Sequence, residues 1–202
     1  MEKGLLIVIS GPAGSGKGTV NAHLLKTGDF VYSVSATTRA PRPGEVDGVN
    51  YHFITREEFL SRIDAGRMLE YTEYCGNFYG TPLKEAEEVL ASGKHLILEI
   101  EVEGAANVKR LYPEAVLILL LPPSFAVQEQ RLRGRGTETE EKIQNRLERT
   151  REEIAIADFY DYVVLNQDGR DTDAAEDIRA IVRAEAHALR RDRAPLDHYF
   201  DS

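Results

Sequence analysis

The most specific chemistry in this 202-residue sequence lies in one stretch, Gly11-Pro12-Ala13-Gly14-Ser15-Gly16-Lys17-Gly18-Thr19. It spells G-x-x-x-x-G-K behind an apolar run at 5–10 and ahead of a helical pattern at 17–26. Glycines at these spacings let the backbone curl so that successive N–H groups converge on phosphate oxygens, and the following helix adds the positive end of its dipole. Lys17 is expected to reach the β- and γ-phosphates of a nucleoside triphosphate and to follow the charge as it transfers. A glycine-rich turn with no ligand is the bland alternative, and the full motif between strand and helix weighs against it. Gly18 stands where many such loops place the hydroxyl that touches Mg2+, with Thr19 next. No direct protein ligand for the metal is therefore expected.

Two further groups suit phosphate. Arg39 and Arg42 lie three apart in a loop stiffened by Pro41 and Pro43, and two guanidinium forks held this way fit a dianion. Tyr51 and Tyr79 can each donate an O–H to the same group. Residues 131–151 carry Arg131, Arg133, Arg135, Arg146, Arg149 and Arg151. Charge runs usually mark solvated helix faces, and that is the expectation for Arg133, Arg149 and Arg151. Gly134 and Gly136 flank Arg135 and give that segment freedom to close.

These groups need elements to position them. Apolar runs of strand character recur at 5–10, 30–35, 95–101, 115–121 and 162–166. Those at 96–100 and 116–121 are almost continuously apolar, as strands covered on both faces are. Helical patterns fall at 17–26, 82–91, 139–157 and 172–189. The pattern at 82–91 offers Thr81 as N-cap, Pro82 at the first helical position and Gly93 past the end. Alternating strands and helices imply an α/β fold with a largely parallel sheet. The phosphate loop makes it a P-loop NTPase, a three-layer α/β/α arrangement on five strands. One domain is expected, with a core at 1–35, 82–122 and 158–202. A turn-rich, aromatic, partly β subdomain occupies about 36–81 and an arginine-bearing lid about 123–157.

The bulk numbers exclude several classes. A net charge of -9 repels polynucleotides, so an anionic substrate is expected only where cations gather locally. No run approaches the ~20 apolar residues that span a bilayer, and the run at 4–9 is too short for a signal-peptide core. The single cysteine, Cys75, excludes an intramolecular disulfide, and no Cys/His cluster has zinc-finger spacing, so a reducing cytoplasm is the expected compartment. Monomer and homo-oligomer are both left open.

Beyond the phosphate loop the chain resembles guanylate kinase over about residues 5–168. Three stretches carry the resemblance in order. They are Ser33-Val34-Ser35-Ala36-Thr37-Thr38-Arg39-Ala40-Pro41-Arg42-Pro43-Gly44-Glu45 with Gly48 and Tyr51-His52-Phe53, then Gly76-Asn77-Phe78-Tyr79-Gly80-Thr81, then Arg133-Gly134-Arg135-Gly136-Thr137-Glu138 leading to Arg146. The resemblance implies transfer of the γ-phosphate of MgATP to GMP, and to dGMP; charge and hydropathy add the expectation of no polynucleotide and no membrane partner. Arg39, Arg42, Tyr51 and Tyr79 match the positions that bind the acceptor's phosphate. Ser35, Glu70, Thr81 and Glu101 match those that read guanine. Ionised carboxylates only accept, which suits the N1 and N2 donors of guanine, and the hydroxyls can donate to O6. Adenine would leave buried carboxylates unpaired.

Arg135 and Arg146 match lid arginines, Arg131 is a candidate contact to ATP phosphates, and Asn166 follows the last strand, where the family contacts adenine. Glu99, grouped with the acceptor residues, is placed to hold a Mg2+-bound water. Glu101 is the clearest departure, since the family usually has Asp there; it is expected to share one strand face with Glu99. Lys17, Arg39, Arg135 and Arg146 are the residues expected to carry catalysis. The acceptor oxygen is already anionic, so none of the five histidines is needed as a base. Two rivals stay open: a ribose bisphosphate kinase, which Glu101 keeps in play, and a non-catalytic phosphopeptide-binding module, which intact Lys17 and the lid arginines oppose.

Overall fold

Leu6, Ile7, Val8 and Ile9 are all buried, so the strand they form, β1 (Leu6–Ser10), is covered on both faces. Ile7 and Ile9 pack with Val20 and Leu24 of α1 (Lys17–Leu25) and with residues late in the chain. Leu6 and Val8 pack on the opposite side. The alternation of strand side chains thus dictates a helix layer on each face of the sheet. Each aliphatic chain so buried contributes about 1.5–3 kcal/mol of transfer free energy.

The computed structural model describes residues 3–74, 76–134, 136 and 138–199, so Cys75, Arg135 and Thr137 lie outside the described residues. After α1 come β2 (Phe30–Tyr32), β3 (Ala36–Thr37), β4 (His52–Phe53), α2 (Arg56–Asp64), β5 (Met68–Tyr74) and β6 (Asn77–Pro82). Next come α3 (Leu83–Ala91), β7 (His95–Leu98), α4 (Val102–Leu111), β8 (Val116–Leu121), α5 (Phe125–Gly134) and α6 (Glu140–Ala155). The chain ends with β9 (Tyr162–Leu165), α7 (Asp171–Ala186) and α8 (Ala194–Asp197).

Five strands form a parallel sheet in the order β2-β7-β1-β8-β9. Helices α1 and α7 cover one face through Val20, Leu24, Ile178 and Val182. Helices α3 and α4 cover the other through Leu90 and Val108. This is the expected three-layer α/β/α fold. A second sheet, β4-β3-β6-β5, is mixed in direction and has its own small core, in which Ala36, Phe59 and Phe78 pack together. Helices α5 and α6 pair through Leu132, Ile143 and Leu147 and pack against Ala13 of the phosphate loop. Thr139 caps α6 by accepting from the Lys142 N–H, as Thr55 caps α2 by accepting from Glu58.

Several local expectations are corrected. The run at 30–35 is not one strand: β2 ends at Tyr32 and the chain crosses to the second sheet at Ala36. The run at 95–101 stops at Leu98, and Glu101 instead occupies the N-cap of α4, a helix the apolar pattern did not announce. Glu99 and Glu101 therefore do not share a strand face. Thr81 does not cap α3, because β6 stays paired with β5 as far as Met68 opposite Pro82, and Pro82 takes the N-cap position. The helix expected at 139–157 ends at Ala155, and that expected at 172–189 runs from Asp171 to Ala186.

Candidate active site

The turn between β1 and α1 is held from below. Gly11 sits so close to β8 that a Cβ there would lie 2.1 Å from the Leu120 carbonyl oxygen. Gly16, at φ 89°, is the left-handed N-cap of α1, and a Cβ there would lie 2.3 Å from Asn166 Nδ2. Three successive carbonyls are engaged by distant side chains. Gln128 Nε2 donates to Ala13 O at 3.0 Å, Arg131 Nη1 to Gly14 O at 3.1 Å and Asn166 Nδ2 to Ser15 O at 2.9 Å. With its carbonyls tied outside, the loop is free to present N–H groups to an anion. Lys17 folds over it, its Nζ donating to Gly11 O at 2.5 Å. Ser15 Oγ and Asn166 Oδ1 are buried without a hydrogen-bond partner, the condition of polar atoms awaiting a ligand or water.

Gln128, 1% exposed, also donates to Thr150 Oγ1 at 2.8 Å, and Thr150 in turn donates to the Arg146 carbonyl at 2.9 Å. One buried amide thus joins the phosphate loop, α5 and α6. Arg131 and Asn166 meet directly: Arg131 Nη2 donates to the Asn166 carbonyl at 2.8 Å and Nε to Asp168 at 2.9 Å. Both stand behind the loop.

The loop opens into a cleft of about 720 Å³ that runs to the second sheet. Gly11, Pro12, Ala13 and Lys17 line one end. Ser35, Arg42, Tyr51, Glu70 and Tyr79 line the other, with Glu99 and Glu101 between and Arg146 across from them. Nine of the acceptor, lid and loop-lysine residues nominated from sequence therefore face one cavity: Lys17, Ser35, Arg42, Tyr51, Glu70, Tyr79, Glu99, Glu101 and Arg146. Arg39 and Thr81 stand one layer back. Gly18 and Thr19 are exposed on the first turn of α1, and Arg135 lies outside the described residues.

Arg39 is held by a carboxylate that the sequence reading did not single out. Its Nη1 and Nη2 each donate to Glu45 at 2.9 Å, and its guanidinium lies 5.4 Å from the Tyr51 ring centroid. Glu45 also accepts from the Arg42 N–H at 2.7 Å, so one side chain shapes the whole loop. The pairing with Arg39 holds the Glu45 carboxyl below its ordinary range.

Glu70 pairs with Thr81 beside an irregularity in the β5–β6 register and lines the cleft. It is 3% exposed and accepts the Thr81 hydroxyl at 2.9 Å. Burial pushes its carboxyl up to about 7, against the opposing pull of the hydrogen bonds from Thr81. Glu99 accepts from Asn21 Nδ2 at 2.9 Å and from the Tyr32 hydroxyl at 3.1 Å, both at Oε2. Burial, and then the neighbouring Glu99 charge, keep Tyr32 protonated.

The arginine-rich segment divides. Arg133 pairs outward with Glu129 and Glu140, and Arg151 lies 4.6 Å from the Phe125 ring centroid, so these two are surface charges. Arg146 pairs with Glu138 at 2.7 Å and faces the cleft. Arg149 keeps the expected solvent exposure, at 40%, but its guanidinium also lines the cleft and reaches Glu101 at 3.1 Å, a contact the charge run did not announce.

A cleft with a phosphate cradle at one end and a buried carboxylate at the other suits a phosphoryl transfer between two nucleotides. The guanylate kinase family profile matches residues 3–185. The chain belongs to the guanylate kinase family. It is 55% identical to the guanylate kinase of Halalkalibacterium halodurans over 91% of this chain and 90% of that one. It is 52% identical to that of Streptococcus thermophilus over 98% and 93%. The crystal structure of guanylate kinase from Anaplasma phagocytophilum superimposes with a TM-score of 0.72 at 35% identity, covering 93% of this chain and 89% of that one. No helix among the described residues is long and apolar enough to cross a membrane.

Proposed function

We propose that the cleft transfers the γ-phosphate of ATP to GMP or dGMP, giving ADP and the guanosine diphosphate, in cytoplasmic purine nucleotide metabolism. The observation that carries this is that Lys17 of the phosphate loop and Glu70, buried and held by the Thr81 hydroxyl, line the same cavity. The loop, from Gly11 to Thr19, cradles the ATP phosphates, with Arg131 and Asn166 bracing it. Arg42, Tyr51 and Tyr79 take the acceptor phosphate, with Arg39 behind them. Glu70 and Glu101 accept from guanine N1–H and N2–H and Ser35 donates at the base edge, while Thr81, its hydroxyl given to Glu70, holds that carboxylate from behind.

The acceptor oxygen is anionic and attacks in line, so alignment and charge dispersal suffice without a general base. Lys17, Arg146 and Arg135 supply cations as charge moves onto the leaving oxygen. The residues present fit a Mg2+ ion held through ATP and water. Among the described residues no cluster of three or more His, Cys, Asp or Glu could hold a metal outright. Asn21 Oδ1 is buried and unpartnered beside the Glu99 carboxylate, and these two would hold metal-bound water. A Mg2+ ion held by that water would supply positive charge to offset that of the β- and γ-phosphates.

The test is ADP release from MgATP with GMP, dGMP, AMP, CMP, UMP and ribose 1,5-bisphosphate offered separately. Turnover with GMP and dGMP alone is expected. Turnover only with the ribose bisphosphate would keep the phosphate loop and overturn the base-reading wall.

A further inference from the structure

We propose that Arg149 is a positioning residue for the acceptor site, holding Glu101 from across the cleft and tying α6 to the base-reading wall; this rests on the GMP reading above. Glu101 needs such a partner. It caps α4 in extended conformation without a side-chain capping bond, and its side chain is 67% exposed, so nothing on its own element holds the carboxylate. Arg149 Nη2 donates to Glu101 Oε2 at 3.1 Å, and its Nε donates to Glu153 Oε1 at 2.8 Å.

The second bond matters as much as the first. Glu153, four residues further along α6, is only 15% exposed, so it is a fixed post for the other edge of the guanidinium fork. Burial raises its carboxyl, and the Glu101 charge adds to that; Arg149 is the cation between the two acids. A planar fork with donors on two edges suits this bridging better than an ammonium does. Because Arg149 engages Oε2, Oε1 is left to accept from a base N–H.

Helix α6 also carries Arg146 and Thr150, the latter linked through Gln128 to the phosphate loop. The same helix thus reaches the phosphate loop through Thr150 and Gln128 and the acceptor wall through Arg149.

The test compares the parent with Arg149→Gln, Arg149→Lys, Glu101→Gln and the Arg149→Gln/Glu101→Gln double variant. Steady-state kinetics are joined to calorimetric GMP binding without ATP. For a pair this exposed, Arg149→Gln is expected to raise both KM and Kd for GMP about fivefold, with kcat and KM for ATP changed less than about twofold. Lysine should recover part of the loss. In the Glu101→Gln background the arginine substitution should have no further effect on GMP. At about 0.5 M salt, where screening acts within ~5 Å, the parent should lose its advantage. An equal loss in the Glu101→Gln background, a loss confined to kcat or to ATP, or tighter GMP binding by Arg149→Gln would overturn the proposal. A parent inactive with GMP but active with ribose 1,5-bisphosphate overturns the acceptor reading and the proposal with it, whereas an active parent with insensitive variants overturns the proposal alone.

Discussion

Replacing Glu70 by glutamine should stabilise the ligand-free protein at alkaline pH while damaging its recognition of GMP. Glu70 is 3% exposed, and its carboxyl titrates near 7 instead of 4.5. At ~1.4 kcal/mol per pH unit, ionising it in the folded state costs about 3 kcal/mol relative to the unfolded chain. The sign follows from the raised value: its contribution to stability is complete below pH 4.5, declines as pH rises, and is lost above about 7. Glutamine stays neutral throughout and can still accept the Thr81 hydroxyl. The variant and parent should therefore be equally stable near pH 4.5 and diverge by up to about 3 kcal/mol by pH ~8, a Tm difference of roughly 6–12 °C for a chain of this length. Thermal or urea unfolding across that range measures it. Parallel curves would refute the burial reasoning. Guanine donors favour the ionised form, so GMP binding should release a proton, and affinity should fall about tenfold per pH unit below 7. The amide would place donors against donors, and kcat/KM for GMP should drop ~100-fold or more.

Three further expectations follow from particular contacts. Gly16→Ala forces a side chain into the left-handed cap and onto Asn166 Nδ2, so ATP binding measured by calorimetry should be lost while GMP binding survives. Gln128→Ala leaves the Ala13 carbonyl and Thr150 without their buried donor, and should cost about 2 kcal/mol in urea unfolding and raise KM for ATP more than KM for GMP. Glu45→Gln weakens the clamp on Arg39 and on the Arg42 backbone, so KM for GMP should rise with little change in ATP affinity or Tm.

The local features were legible in the chain. A strand, a glycine-rich turn and a helix in succession depend on backbone geometry and hydropathy within a few residues, and continuous apolar runs reveal strands buried on both faces. The loop at 39–45 was visible as a motif, although the clamp between Arg39 and Glu45 was not, because no local spacing rule distinguishes a clamped arginine from a solvated one. Strand ends failed where tertiary pairing overrides propensity: β6 continues through Thr81 because β5 lies beside it, and β7 stops at Leu98 because α4 begins at Val102.

The partners of the phosphate loop belong wholly to the fold. Gln128, Arg131 and Asn166 lie 115, 117 and 151 residues from the carbonyls they hold, and Arg149 lies 48 from Glu101. The sequence by itself determined which backbone could cradle phosphate and which side chains carried suitable charge. The tertiary structure decided which charges face the cleft, because that depends on how α5 and α6 pack against the loop and the sheet, and contacts at such separation leave no periodic trace in the chain.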